Sequence, residues 1–338
     1  MQAVKGSVAA CSCHLRRPAF KSKPAGRRQT TVRAGEKSEG ALITGANTGI
    51  GYETALALAC KGYATVLACR DLEKARAARE RIKAQCPDAK VEAVQLDLAS
   101  LESVRLLANK CLQGGRPLSV LVNNAGIMAC PELKSQDGYE LQLAVNHLGH
   151  FLLTTMLLPL LTDASRPARI VNVSSSAHQF GTIQFDDLQS RRGYQPWRAY
   201  GQSKLANILF TYELARRLPR SANLTVNALH PGVVRTELSR FLIADPAPLW
   251  QRPLVQLSQF FLKTPEQGAA TSIHLASSPD VEGITSKYWS DCRPLRSNRE
   301  SYDAGVAARL WQVSHELTGA DCDLARREPA AAGQEAQA

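Results

Sequence analysis

The stretch that most constrains this 338-residue chain is Ala41-Leu42-Ile43, then Gly45-Ala46-Asn47-Thr48-Gly49-Ile50-Gly51, then an apolar helical pattern from Thr54 to Cys60. A short apolar strand, a glycine-rich turn and a helix in that order are the context in which a backbone can wrap a phosphate. Glycines let amides approach the anion, and the helix N-terminus adds partial positive charge. The spacing is G-x-x-x-G-x-G, not G-x-G-x-x-G.

Strand and helix patterns then alternate along the chain. Apolar runs at 64–69, 91–96, 118–122, 169–173, 224–229 and 283–290 read as strands. Charged or amphipathic segments at 73–85, 100–111, 139–161, 264–277 and 304–318 read as helices. This rhythm predicts an α/β fold with one doubly wound parallel sheet, whose ligands sit at the carboxyl ends of the strands. Residues 237–262 break the rhythm with an apolar stripe of Trp250, Leu254, Leu257 and Phe261. Three uses fit it: a lid over an apolar substrate, a peripheral membrane contact, or a packed helix.

Polar groups gather at those strand ends. Arg70 lies 19 residues past Gly51, where a base pairs with a ribose 2′-phosphate and favours NADP(H); the adjacent Asp71 could instead hold a 2′-hydroxyl. Asp97 with the Leu98 amide suits an adenine contact, or serves as a helix N-cap. Asn123-Asn124-Ala125-Gly126 suits either a cofactor-lining turn or a tie between strand ends. His147 and His150, inside an apolar helix, read as satisfied core groups. Ser174-Ser175-Ser176 ends one strand, and His230-Pro231-Gly232-Val233-Val234-Arg235-Thr236 turns off another.

Tyr200 and Lys204 lie four apart at the start of a core-facing helix, so they share a face. A phenol titrates near ~10, and a neighbouring ammonium should lower that value and make a tuned acid/base. Lys204 is also the only lysine between Lys134 and Lys263. A serine hydrolase is excluded by the lack of a G-x-S-x-G elbow around Ser175.

Composition limits the remaining classes. The net charge is +11, but residues 1–35 hold eight Lys/Arg and no acid, leaving 33 basic against 30 acidic residues in the body. A nucleic-acid footprint is therefore not indicated. Residues 1–35 lack an apolar signal core and read as an organelle transit peptide, with Val32-Arg33-Ala34 like a chloroplast cleavage region and a mitochondrial leader as the second choice. The domain itself is expected over 36–320, with a disordered tail at 321–338. No run of about 18 apolar residues marks a membrane span. Nine cysteines, odd in number and without paired metal-ligand spacing beyond Cys11 and Cys13, point to a reduced compartment, no disulfide framework and no metal site.

Taken together, Thr44-Gly45-x-x-x-Gly49-Ile50-Gly51, Asn123-Asn124-Ala125-Gly126, Asn146, the serine after Val171-Asn172-Val173, Tyr200-x-x-x-Lys204 and Pro231-Gly232 resemble the short-chain dehydrogenase/reductase family from about Gly40 to Thr318. Ala68-Cys69-Arg70-Asp71, 145–153 and 203–210 resemble its NADP-dependent retinol dehydrogenase group. Residues 126–131 and 197–204 are similar to the short-chain dehydrogenase associated with the chloroplast inner-envelope translocon; protochlorophyllide reductase is a more distant likeness.

The resemblance implies an NADP(H)-dependent oxidoreductase for a hydrophobic carbonyl or its alcohol. The catalytic set would be Tyr200, Lys204, Ser175 and Asn146. Tyr200 would exchange the proton, Ser175 would hold the oxygen, Lys204 would tune Tyr200 and bind the ribose, and Asn146 would hold a water. Cofactor contacts would come from Gly45, Asn47, Thr48, Gly49, Ile50, Gly51, Arg70, Asp97, Leu98, Asn123, Ala125, Gly126, Pro231, Gly232, Val234 and Thr236, besides Tyr200 and Lys204. It also implies a homodimer through the helices near Asn146 and Tyr200. The translocon likeness adds a chloroplast location and an NADPH-sensing role at the import machinery.

Overall fold

In the computed structural model, eight strands form one sheet in the order β3-β2-β1-β4-β5-β6-β7-β8. The structure describes residues 39–162, 166–219, 221–234 and 263–320. The leader at 1–35, the stripe at 237–262, Thr236 and the tail at 321–338 lie outside them.

The strands are β1 (Gly40–Thr44), β2 (Ala64–Cys69), β3 (Val91–Gln95), β4 (Leu118–Asn123), β5 (Ala168–Val173), β6 (Leu224–Leu229), β7 (Tyr288–Ser290) and β8 (Arg293–Leu295). All neighbours pair in parallel except β7 with β8. Every residue of β1 and β4 is buried, as expected for strands covered on both faces. The doubly wound sheet is therefore present. The reading of 283–290 as one final strand is corrected: pairing begins only at Tyr288, and the chain then folds back as β8. Asp291 and Cys292, both at positive φ, make that tight return, which their side chains did not advertise as Gly or Asn would.

Helices cover both faces. On one side lie α1 (Gly49–Cys60) and α2 (Leu72–Gln85); on the other, α3 (Leu101–Gly114) and the long run α4 (Leu141–Leu161). Further along come α5 (Pro196–Arg217), α6 (Pro265–Ser277) packed on α1, and α7 (Ala304–Thr318) packed on α5. Several starts are capped by side chains. Asp71 accepts from the Lys74 amide, Ser100 from Ser103, and Thr264 forms a reciprocal box with Gln267. By length and composition α4 is the one described helix that could cross a membrane, but 78% of its most apolar 18-residue window is buried within the protein. Its opening contains a π-turn at Ala144–Leu148, directly through Asn146. Such turns re-aim side chains.

The sheet order reverses between β1 and β4, so the loops after these two strands diverge and open a crevice. Gly45 sits in it at φ +65°, and a Cβ there would lie 3.0 Å from Ala125. At Gly51 a Cβ would lie 2.4 Å from the Gly45 carbonyl oxygen. The turn thus closes on itself only with glycine at both places.

One cysteine expectation is overturned. Cys60 and Cys86 form a disulfide, with Cα atoms 5.6 Å apart. Cys60 is the last residue of α1, and Cys86 is the C-cap of α2. They meet because α1 and α2 lie side by side on one sheet face, which a separation of 26 residues does not reveal. Arg81 and Gln85 of α2 reach the same neighbour: Arg81 stacks 4.1 Å over the Tyr52 ring and donates to the Asn47 carbonyl, and Gln85 donates to the Tyr52 hydroxyl. A cross-link over such a loop contributes about 3 kcal/mol. Cys60→Ser should therefore lower the urea-unfolding free energy of the oxidised protein by about that amount, and dithiothreitol should do the same to wild type. An unchanged midpoint in both would show that the bridge does not form in solution.

Candidate active site

The cleft is built on α5. From Ala199 to Leu214 every side chain of this helix is buried. Tyr200 and Lys204 face the carboxyl end of β5, where the Lys204 ammonium donates to the Val173 carbonyl at 3.2 Å. Asn207 donates to the same oxygen at 3.3 Å. Lys204 is only 3% exposed, and burial draws its pKa down to about 8.

The three serines after β5 separate by role. Ser174 donates to the Lys204 carbonyl at 2.7 Å and so ties β5 to α5. Ser175 accepts from the Ala177 amide, and its hydroxyl also hydrogen-bonds the Tyr200 phenol. Burial pushes Tyr200 up to about 12, with the Ser175 bond pulling the other way. The expectation that Lys204 would leave Tyr200 with a lowered pKa is therefore corrected. The ammonium lies 5.8 Å from the ring centroid and bonds a carbonyl instead, so desolvation of the phenolate dominates.

Asn146 lies across Gly126 from Lys204. A Cβ on Gly126 would be 3.1 Å from Asn146 Oδ1 and 3.2 Å from Lys204 Nζ. The Asn146 side chain accepts from the Ile127 amide and donates to the Ile127 carbonyl and to Ser203. Both amide hydrogens are thus spent on protein, leaving Oδ1 one lone pair, where the sequence had the side chain holding water. His147 and His150 are core groups: Nε2 of each contacts Ser314 and Thr44 respectively, although His147 Nδ1 has no hydrogen-bond partner among the described residues, and burial keeps both far below the usual histidine pKa, at about 3 and about 4.

The cleft has a volume of about 690 Å³. It is lined by Gly45, Asn47, Thr48, Gly49, Ile50, Gly51, Arg70, Asp97, Leu98, Ala125, Gly126, Ser175, Tyr200, Lys204, Pro231, Gly232 and Val234. Asn123 is not in it. That side chain donates to Thr154 and Asn172, both at 2.8 Å, and so is a strand tie. Asp97 is partly engaged already, accepting from the Ala99 amide at 2.9 Å.

At the far end Asp71 also lines the cleft; its Oδ1 caps α2 by accepting from the Lys74 amide, and Oδ2 lies 3.8 Å from the Lys74 ammonium. Arg70 and Lys74 both line the cleft. A groove with two cations at one end, a glycine-rich helix start in the middle and a Tyr/Lys pair at the other fits an elongated dinucleotide.

Sequence reading missed the apolar wall beside Tyr200. Ile127, Met128, Leu141, Val145, Phe180 and Trp197 form it. Phe180 and Trp197 are large, half-exposed apolar groups at its mouth. The loop carrying Met128 is held by Gln142, which accepts from the Ala129 amide and donates to the Tyr194 hydroxyl, while Tyr194 donates to the Cys130 carbonyl. A glutamine inside an apolar helix was the available signal.

The fold and site together define a dinucleotide-dependent oxidoreductase. Residues 39–247 match the short chain dehydrogenase family, and the chain belongs to that family. It is 48% identical to human "Retinol dehydrogenase 14" over 292 residues, covering 82% of this chain and 85% of that one. It is 45% identical to human "Retinol dehydrogenase 13" over 289 residues, covering 85% and 87%. Among solved structures, a putative uncharacterized protein from Mycobacterium Paratuberculosis aligns with TM-score 0.67 and 38% identity, over 83% of this chain and 94% of that one. An actinorhodin polyketide ketoreductase solved with NADPH aligns with TM-score 0.59 and 26% identity, over 74% and 94%.

The chain is thus a short-chain oxidoreductase of the class acting on CH–OH and C=O groups. The chloroplast expectation is overturned: these relatives are proteins of human and mouse, animals without chloroplasts.

Opposed titrations at the pair give a measurable signature. Lys204 has a folded pKa below its unfolded value, so between about 8 and 10 the unfolded chain binds the extra proton and stability rises with pH. Tyr200 has a folded pKa above its unfolded value, so its contribution is lost between about 10 and 12. Urea unfolding across pH 7–10 should show a rise that Lys204→Met abolishes. A variant with the wild-type slope would contradict the assignment.

Proposed function

We propose that the protein interconverts an extended hydrophobic aldehyde or ketone, of the retinal type, and its alcohol with NADP(H). The observation that carries the reading is the placement of Tyr200 and Ser175 between a dinucleotide-shaped groove and a wall of Met128, Leu141, Phe180 and Trp197. No charged side chain other than Lys204 lines that half of the cleft among the described residues. A carbonyl there would be desolvated and held by its apolar chain. The names of the similar human proteins, retinol dehydrogenases, support the same class of substrate.

When bound, the nicotinamide supplies hydride to the carbonyl carbon or removes it from the alcohol carbon. Tyr200 gives its phenolic proton to the carbonyl oxygen in reduction and takes it back in oxidation. Ser175 donates to the same oxygen and stabilises charge that builds there. Lys204, at about 8, holds a proton it can exchange near neutral pH, and its charge favours the transient phenolate. The Asn146 side chain fixes the Ile127 backbone opposite α5. This keeps Gly126 close to Lys204.

Preference for the phosphorylated cofactor rests on Arg70. Asp71 lines the same end, but its carboxylate caps α2 and is paired with the Lys74 ammonium, which offsets its repulsion of a 2′-phosphate. A guanidinium–phosphate contact is worth roughly 1.5–3 kcal/mol. Arg70→Ala should therefore weaken NADPH binding about 10- to 100-fold and leave NADH binding nearly unchanged. All-trans-retinal should be reduced with NADPH far faster than with NADH, and short polar aldehydes poorly with either. Equal use of both cofactors would overturn the NADP(H) reading. Preference for short polar carbonyls would overturn the substrate class.

A further inference from the structure

A second polar chain lies beside the site and takes no part in the proton transfer above. His178 follows Ser175 in the turn after β5. His230 follows β6, immediately before Pro231 and Gly232. Tyr288 opens β7 between them. Both His178 and Tyr288 are about 1% exposed. The Tyr288 ring stacks on His230 at 5.5 Å and 17°, and meets His178 at 4.7 Å.

One order of the hydrogens gives every donor in the chain an acceptor. His178 Nδ1 is 2.6 Å from the Ser175 carbonyl, which only accepts, so this nitrogen carries the proton. Tyr288 Oη, 3.4 Å from the same nitrogen, can then only share that hydrogen. The Tyr288 proton goes instead to His230 Nδ1, at 2.7 Å. In that order neutral His230 carries its proton on Nε2, which lies 3.3 Å from Ser290 Oγ. Ser290 in turn donates to Asp291 at 3.4 Å. Asp291 pairs with Lys263, and the Lys263 ammonium packs on Gly232: a Cβ there would be 2.9 Å from it.

The chain thus starts on the backbone of Ser175 and ends against Gly232. Both residues line the cleft. We infer that His178, Tyr288 and His230 are positioning residues that set the spacing between the Ser175 turn and the Pro231-Gly232 turn. This deepens the oxidoreductase reading and rests on it. The Tyr288 hydroxyl has one acceptor, so removing it leaves the buried face of His230 Nδ1 unpaired, and removing the His178 imidazole leaves the Ser175 carbonyl without its 2.6 Å donor. The backbone of the His178 turn has its own anchor, since Asn298 donates to the His178 and Gln179 carbonyls at 3.0 and 3.1 Å. Loss of the imidazole should therefore shift the turn without unfolding it.

Displacement of a reacting group by ~1 Å costs on the order of 100-fold in rate. In the full chain, His178→Ala should lower kcat for retinal about 10- to 100-fold, with KM and the NADPH dissociation constant changed less than about threefold. His178→Asn, whose amide can donate to the Ser175 carbonyl in place of Nδ1, should recover most of that loss. Tyr288→Phe keeps the ring stack but removes the donor to His230, and should weaken NADPH binding at least about threefold with the thermal midpoint held.

If His178→Asn is as slow as His178→Ala, or His178→Ala is as fast as wild type, the positioning role is wrong. Unchanged NADPH affinity in Tyr288→Phe would equally overturn it. The oxidoreductase reading fails separately, by wild type reducing no carbonyl at all; the NADPH affinity of Tyr288→Phe still decides the link to the Gly232 turn.

Discussion

A buried ammonium with no carboxylate partner among the described residues is the constraint on which this structure turns. Lys204 is held at the end of β5 by the Val173 carbonyl. Burying a cation is costly unless the surroundings are polar and fixed. The surroundings here are polar for that reason. Asn207 shares the Val173 carbonyl, Ser174 bonds the Lys204 backbone, and Ser203 links α5 to Asn146. Further along the same interface Asn172 donates to Thr211, and Asn123 donates back to Asn172. The polar stripe inside α5 therefore serves a charged group that the core would otherwise exclude.

That constraint also shapes the two halves of the cleft. The cofactor half is polar, closed by the glycine turn, and braced from behind by Arg81, Gln85 and the Cys60–Cys86 bridge. The substrate half is apolar, with its loop locked by Gln142 and Tyr194. Tyr200 stands between them, protonated over the physiological range because burial disfavours its anion. A proton donor at rest suits reduction. The phenolate forms only as its proton passes to the oxyanion developing on the substrate, and the Lys204 charge then stabilises it.

Much of this was legible in the sequence because the signals are local. The strand–glycine turn–helix unit, the Tyr200–Lys204 spacing and the apolar strands each occupy one short window. Ser175 could be chosen over Ser174 by family likeness, and the structure supplies the reason, since Ser174 is already committed to the Lys204 carbonyl. What was not legible depends on elements brought together from afar. The Cys60–Cys86 bridge joins two helix ends. The antiparallel β8 rests on a return built from Asp291 and Cys292 rather than glycine. The His178–Tyr288–His230 chain spans 110 residues of sequence. Asn123 was mis-sorted because a strand-end asparagine looks the same whether it faces a ligand or a neighbouring strand. The net direction of the Tyr200 shift was missed because charge proximity was weighed without the cost of burial.

The most direct measurement is single-turnover hydride transfer from NADPH to all-trans-retinal by Tyr200→Phe, with NADPH binding measured on the same sample. The account predicts NADPH affinity close to wild type and hydride transfer slowed by at least about 100-fold, since the proton donor is gone while the groove is intact. Transfer at the wild-type rate would contradict it, and would mean that the proton reaches the carbonyl oxygen by another route.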